Sequence, residues 1–583
     1  MLYPQSNKCR TTLNLNGIWE YKTVGDDYTP AEKATGTSPM AVPASINDIV
    51  TTRELVDYVG KVLFERDFSL PVEPGRTYRL RIGSASHRCE VYLNGKKIGE
   101  GINGFVPVDL PLDDLKDKNR LSVVVDNRLT NHTLPMGKIE PAGRYGVITT
   151  SNGEYVYTDP NVTGEKQIIK FDFFNFTGIH RDVLVYSLPE NPIEDIAIKT
   201  VFGGDYRKIK VDVKTQGKVK SFTVYDGEKP VYRSENAQFA IENPVLWSCE
   251  NPHLYTLAVE TENDYYEQKF GIRKVTFDSN GLYLNDKPVY FKGFGKHEDF
   301  FVIGKGNCSA VNVRDFELLE WINANSFRTS HYPYAEEILD LADRYGILVI
   351  DELPAAGVGF WHGFTFGETR ADEQLLDLHV KLLDTLWERD KNHPCVVMLS
   401  MANETATYEQ KGRTYYKTLI DRAHELCDLP VTIVESTKIG EPNYCADLVD
   451  IMCLNRYFGW YDELGNIGAI APLWLDELGK LHDKFGKPII ITEFGADAIE
   501  GFHSLTSEVF SEEWQRDMIA ESCVTFDKVP YVIGEQVWNF ADFKTREGLM
   551  RFRGNRKGVF TKDRQPKICA NYLKARWKDL KKF

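Results

Sequence analysis

No stretch of this chain runs to the ~20 consecutive apolar residues that a membrane-spanning helix needs, so no membrane partner is expected. Cations are in the minority, with 70 Lys+Arg against 85 Asp+Glu and a net charge of −15, which argues against non-specific binding to nucleic acid or anionic membranes. The ten cysteines, scattered from Cys9 to Cys569, form no C-x-x-C pair and no other zinc-type spacing. The N-terminus, "MLYPQSNKCRTTLNLNGIWEY", shows no basic start followed by an apolar run. Together these absences imply reduced thiols, no disulfides and a cytoplasmic location. A Gly-rich phosphate loop of the P-loop type is missing as well, which leaves phosphoryl transfer without support.

What remains is ordinary globular material, 42% hydrophobic and 27% charged, in a chain of 583 residues, too long for one core. Three regions follow one another. Residues 1–187 are strand-rich: "TYRLRIGSASHRCEVYLNGKKIGEG" alternates apolar and polar residues around Asn94-Gly95, a strong hairpin signal. This spacing predicts a jelly-roll or β-sandwich domain. Residues 188–275, after the proline-containing boundary "SLPENPIEDI", again read as short strands and have the size of an immunoglobulin-like sandwich. From residue 276 to 583 apolar strands alternate with amphipathic helical stretches. Eight strands can be read: "VYFKGFG", "SFRTSHY", "LVIDEL", "VVMLSMANE", "PVTIVES", "DIMCLNRY", "PIIITEFG" and "YVIGEQVWNF". Near-continuous apolar runs are what parallel strands covered on both faces require, so this region reads as a (β/α)8 barrel.

Each barrel strand ends in polar residues: Lys296-His297-Glu298, His331, Asp351-Glu352, Asn403-Glu404, Glu435, Asn455, Glu493 and Asn539. One polar strand end means only that loops are solvated. Eight, with carboxylates recurring, point to an active-site face. Glu404 and Glu493, 89 positions apart, would face each other across the mouth. Such a pair is what glycosidic cleavage needs: one carboxyl protonates the leaving oxygen and the other attacks or activates water. Tyr457, Phe458, Trp460, Tyr461 and Trp538 crowd the same face, as sugar C–H faces prefer, although core packing explains Phe458 equally well. Near the C-terminus "RFRGNRKGVF" (551–560) packs Arg551, Arg553, Arg556 and Lys557 into seven residues of an acidic chain. Taken alone, such a run is a solvated loop.

These motifs resemble glycoside hydrolase family 2 over essentially the whole chain, and more closely its members that act on β-glucuronides. The resemblance rests on "FDFFNFTGIHRDV" (171–183), "NPVLWSCENPHLY" (243–255), "FGIRK" (270–274), "NANSFRTSHYPYAEE", "RDKNHPCVVMLSMANE", "CLNRYFGWY", "IIITEFGAD" and "GEQVWNFADF", in the family's order. It implies that Glu404 is the general acid/base and Glu493 the nucleophile of a retaining double displacement. Asn403 would bond the sugar 2-hydroxyl, and Tyr457 would steady the nucleophile. Asp172, His331 and Trp538 would hold the other hydroxyls, with Asn455, Trp460 and Tyr461 shaping the site. Asn555-Arg556-Lys557 matches the family's Asn-x-Lys motif. The resemblance therefore implies that Asn555 and Lys557 grip the C6 carboxylate of a glucuronide, with Arg551 as a third contact and Arg553 and Arg556 solvated. It implies no metal or cofactor, and a homo-oligomer, tetramer or dimer. A β-galacturonidase or mixed uronidase stays open beside this reading. A neutral-sugar glycosidase would leave the cations without a partner, and a non-catalytic carbohydrate-binding protein would have no use for intact carboxylates. The chain departs from common family residues at Leu399 and Phe458. Its segment 355–372, rich in Gly and aromatics, reads as either an aglycone wall or a self-packed loop.

Overall fold

The computed structural model describes the chain except residues 143, 151–152, 159–163, 204–205, 360–364, 368–369, 581 and 583, and it leaves the side chains of 143–163 and 203–206 undescribed. At the N-terminus a six-stranded sheet packs on a four-stranded one. The longest strands of these two sheets, Lys61–Ser69 and Lys118–Asp126, pair antiparallel over their whole length. Alternation decides which side chains turn inward: in Gly17–Val24 only Trp19 and Tyr21 are buried. They join Val62, Phe64, Val91, Val123 and Val185 between the sheets, and each fully buried side chain of this kind contributes about 1.5–3 kcal/mol. Arg88–Leu93 and Lys96–Gly101 form the expected hairpin, with Asn94 and Gly95 both at positive φ, 51° and 85°, as its tight turn requires.

A second sandwich follows. It has a three-stranded sheet starting at Ile193–Gly203 and a four-stranded sheet ending at Tyr265–Phe270, with a separate core around Val224, Leu257 and Val259. A small meander, Val275–Asp278, Gly281–Leu284 and Lys287–Pro288, leads into the barrel.

The barrel is closed and parallel, in sequence order: Phe291–Lys296, Ser326–Thr329, Leu348–Glu352, Val396–Asn403, Val431–Glu435, Met452–Asn455, Ile489–Glu493 and Val532–Val537. All eight strands read from the sequence are present. Seven of the eight strands are followed by a helix, among them Glu336–Tyr345, which stops where Gly346 takes the left-handed conformation at φ 69°. The connection after the fifth strand has none. Its sequence, "STKIGEPNYCADLVD", places Gly440, Pro442 and Asn443 where a helix interior would lie. Among the described residues no helix is long and apolar enough to cross a membrane.

Two contacts position the first sandwich over the barrel mouth. The Phe174 amide donates to the Lys544 carbonyl at 3.0 Å, and Arg181 pairs with Glu298 at 3.1 Å. At Gly357 the backbone of the loop after the third strand passes so close to the Lys170 carbonyl that any Cβ would clash. In the 355–372 segment Ala356 and Gly357 reach the cleft described below. Phe366 packs on Tyr415 and Tyr416. Residues 360–364 and 368–369, the centre of the aglycone-wall alternative, lie outside the described residues.

Candidate active site

A cleft of about 260 Å³ opens at the C-terminal ends of the barrel strands, walled by both the barrel and the first sandwich. Glu404, Glu493, Asp172, His331, Asn403, Tyr457, Tyr461, Trp538, Arg551 and Asn555 all line it. Three other candidates stand behind this wall. Asn455 is buried and spans the floor: its amide nitrogen donates to Glu404 Oε1 and Asn403 Oδ1, both at 3.0 Å, and its oxygen accepts from Thr492 at 2.9 Å. Trp460 is buried against Phe510. Lys557 is fully buried, with its ammonium 4.9 Å from the Trp460 ring and 3.1 Å from the Tyr461 hydroxyl. Phe458 meets Trp474 edge-on and belongs to the core.

The two carboxyl groups are held differently. Glu493 ends the seventh strand and takes a short ion pair from Arg328 and a 2.5 Å hydrogen bond from the Tyr457 hydroxyl. Arg328 lies in the second strand, wholly buried, and its other arm grips both oxygens of Glu352 at 2.8 and 2.9 Å. His331 Nδ1 sits 2.8 Å from Glu352 and 3.0 Å from Arg328, with Nε2 facing Glu493 at 3.8 Å. The His331 ring lies parallel to Trp538, with centroids 5.1 Å apart. Glu404 follows the fourth strand with φ 51°, a strained conformation for a residue with a Cβ. Among the described residues its one side-chain hydrogen-bond donor is Asn455.

Burial raises both carboxyls above the ordinary range, Glu493 to about 8, opposed there by Arg328 and Tyr457 and reinforced by the charge of Glu404. Taken singly, Glu493 is pushed far up. Because the charge of Glu404 contributes to that rise, ionising one carboxyl disfavours ionising the other, which favours a single proton between them. The donors decide where it sits. A guanidinium and a phenol stabilise charge on Glu493, whereas Glu404 has one neutral amide, so the proton belongs on Glu404.

At the other end of the cleft Asp172, from the first sandwich, accepts from Arg551 Nε at 2.7 and 3.0 Å and from Asn555 at 2.7 Å. Lys557 forms a short ion pair with Asp497. Arg556, expected to be solvated, instead bonds Asp542 at 3.0 Å, and Lys567 meets the same carboxylate at 2.8 Å. Arg553 is exposed. Arg551 and Lys557 are thus each met by one carboxylate, Asp172 and Asp497, while Arg556 and Lys567 share Asp542 behind the loop, away from the cleft lining. The Tyr461 oxygen accepts from Arg551 at 2.7 Å and from Lys557 at 3.1 Å. With both acceptor positions filled, its own O–H is free to donate elsewhere, and Tyr461 lines the cleft.

Sequence reasoning passed over Arg328 and Asp497 as site residues and named Glu352 only as a polar strand end. Arg328 had a signal, a cation inside an apolar strand. Asp497 stood in the quoted "IIITEFGAD" without an assigned role. Other polar strand ends turn inward: Lys296 pairs with Asp315 at 2.9 Å, and Glu435 accepts from Thr407 at 2.6 Å. Among the described residues one cluster has metal-ligand chemistry, Asp343, His393 and Cys395, away from the cleft. Both Asp343 oxygens are engaged, by His393 Nδ1 at 2.6 Å and the Cys395 amide at 3.0 Å. Against burial, the Asp343 carboxylate lifts His393 to about 9.

The model of the glycosyl hydrolases family 2 TIM barrel domain matches residues 245–582, and that of glycosyl hydrolases family 2 matches residues 190–273. A β-glucuronidase of Paenibacillus borealis is 38% identical, with 100% of this chain and 99% of that protein covered. A β-D-glucuronidase structure from Dictyoglomus thermophilum superposes with a TM-score of 0.93 at 40% identity, all of both chains being covered. One from an uncultured Clostridium does so at 0.92 and 39%, again over all of both chains. With a two-carboxylate cleft on the barrel's C-terminal face and family matches running from residue 190 to 582, this chain belongs to glycoside hydrolase family 2.

Proposed function

We propose that this protein is a retaining β-glucuronidase that hydrolyses β-D-glucuronides by double displacement. The observation that carries the substrate is the gathering of donors at one end of the cleft, Arg551, Asn555 and Tyr461 on the wall with the Lys557 ammonium behind them, from which a uronate carboxylate would accept. The relatives named β-glucuronidase agree with it.

In the first step Glu404 gives its proton to the glycosidic oxygen as the C1–O bond breaks. Glu493, ionised beside Arg328 and Tyr457, attacks C1 to form a glycosyl ester. The aglycone leaves, and water takes its place. Glu404, now a carboxylate, takes a proton from that water as its oxygen attacks C1. The ester bond breaks, Glu493 recovers its charge, and Glu404 is reprotonated for the next turnover. Asn403, whose Oδ1 is already occupied by Asn455, would present its NH2 group to the sugar 2-hydroxyl. Asn555, Tyr461 and Arg551 would donate to the C6 carboxylate, with Lys557 behind them. Small-molecule conjugates and glucuronic-acid-capped saccharides both fit this chemistry.

The test is turnover of p-nitrophenyl β-D-glucuronide beside the matching galacturonide, galactoside and glucoside. Preference for the glucuronide, with the β-anomer of glucuronic acid as the first product seen by NMR, supports the whole reading. Preference for the galacturonide keeps the carboxylate grip and changes the sugar. Turnover of neutral sugars alone refutes the grip.

A further inference from the structure

The Lys557 ammonium has no exposed surface, yet it lies beside the cleft. A buried lysine without a counter-ion tends to lose its proton. A solvated one would need ordering each time a substrate bound. Asp497 removes both difficulties. Its Oδ2 pairs with the ammonium, and its Oδ1 accepts the Arg556 backbone N–H at 2.8 Å. The rings of Trp460, Tyr461 and Tyr457 surround the same ammonium at 4.9, 4.8 and 5.7 Å.

The main chain beneath Lys557 is held independently. Its carbonyl accepts from the Asn539 amide at 3.0 Å and from Gln515 at 3.3 Å, and its amide donates to Asn555 at 2.9 Å. The Arg556 carbonyl accepts from the Ala498 amide at 3.0 Å and from Lys567 at 2.9 Å. Asp497 therefore fixes the side chain and its charge more than the path of the loop. It also lies four residues after Glu493, in one segment after the seventh strand. That segment thus ties the carboxylate-pair end of the cleft to its cationic end.

We propose that Asp497 is the positioning residue behind the uronate preference, holding Lys557 charged and oriented behind Tyr461. This rests on the glucuronide reading above. The discriminating variant is Asp497→Asn, because the asparagine oxygen can still accept the Arg556 N–H while the negative charge is gone. On p-nitrophenyl β-D-glucuronide, kcat/KM should fall about 10- to 100-fold, mostly through KM, the size of one charge-assisted hydrogen bond. On the β-D-glucoside it should stay within about twofold of wild type, since no carboxylate is being read. Asp497→Glu should recover part of the glucuronide loss. In a Lys557→Met background Asp497→Asn should cost nothing further, because its effect passes through that lysine. If Asp497→Asn does not fold, Asp497→Glu measured with and without Lys557→Met gives the same readout. Equal losses on both sugars, or full additivity with Lys557→Met, would mean a merely structural aspartate and overturn the proposal. Wild type without a glucuronide preference overturns the substrate reading and this inference with it. Wild-type preference preserved in Asp497→Asn overturns this inference alone.

Discussion

The two ends of the cleft solve the problem of buried charge in opposite ways. At the Glu404–Glu493 end, burial raises both carboxyls and favours a protonated, neutral form. At the Arg551–Lys557 end, the cations keep their charge against carboxylates, Arg551 against Asp172 and Lys557 against Asp497. The first end answers burial with a proton, the second with counter-charge. The ends also differ in construction. Glu493 ends a barrel strand, Glu404 directly follows one, and their supports Arg328 and Asn455 lie on two more. The cationic end is made of loops, one of them from another domain. On the proposed reading, chemistry would sit on the rigid frame and sugar selection on what is laid over it.

The largest expected effect would break the first end outright. Glu493→Ala should lose roughly 10⁴-fold or more in kcat on every aryl glycoside, because no covalent step remains. Glu404→Ala should lose about 10²–10⁴-fold on poor leaving groups and far less on nitrophenyl glucuronide, whose leaving group needs little protonation. Equal losses on both leaving groups would remove the acid role from Glu404. The shared proton sharpens this further. Activity requires Glu493 ionised and Glu404 protonated, so kcat/KM should be bell-shaped in pH. It falls on the acid side as the pair gains a second proton, and on the alkaline side as it loses its last. Because burial raises both carboxyls, the alkaline limb belongs above the ordinary carboxyl range. Glu404→Gln, assayed with the nitrophenyl substrate, should lose that alkaline limb. An unchanged profile would place the titration elsewhere.

An intermediate effect concerns the second end. Lys557→Ala should lower kcat/KM for the glucuronide about 10- to 100-fold while sparing the glucoside. A uniform loss on both sugars would make the cations structural and erase the contrast between the two ends.

That contrast also explains what could be read from sequence. All eight barrel strands were legible, because doubly covered parallel strands are written as unbroken apolar runs. So were the residues that end them or follow directly, Asn403, Glu404, Glu493 and Trp538, because strand polarity alone assigns them to one face. The missing helix after the fifth strand is explained by Gly440 and Pro442 in that connection. The loop end was harder. Asp497 meets a lysine 60 positions away, and Arg551 meets an aspartate 379 positions away. No periodicity encodes such pairings. The role of Asp172 came from family resemblance and not from any local pattern, and Arg328 was lost because only folding shows which buried arginine reaches a carboxylate.

The smallest expected effect separates the cations of "RFRGNRKGVF", which look equivalent in sequence. Arg556 was expected to be solvated and is not: its guanidinium meets Asp542 at 3.0 Å, and that carboxylate also receives Lys567 and the Gly558 amide. Arg556→Ala should therefore cost about 1–2 kcal/mol of stability, less than a fully buried pair because Lys567 still compensates Asp542. Glucuronide kcat/KM should drop mildly, through the loop that carries Asn555 and Lys557. Arg553 is exposed at φ 56° and belongs to none of the ion pairs that hold this loop. Arg553→Ala should stay within about 0.5 kcal/mol of wild type, and Arg553→Gly should equal or slightly exceed it, since glycine takes positive φ without strain. Thermal melts and glucuronide kinetics on these variants are enough to decide. A loss of uronide selectivity in Arg553→Ala would show that long-range charge contributes to substrate capture beyond the compensated network, and salt should then abolish the difference. Without such a loss, the run of cations divides into one solvated residue, Arg553, one structural residue, Arg556, one that lines the cleft, Arg551, and one buried behind it, Lys557.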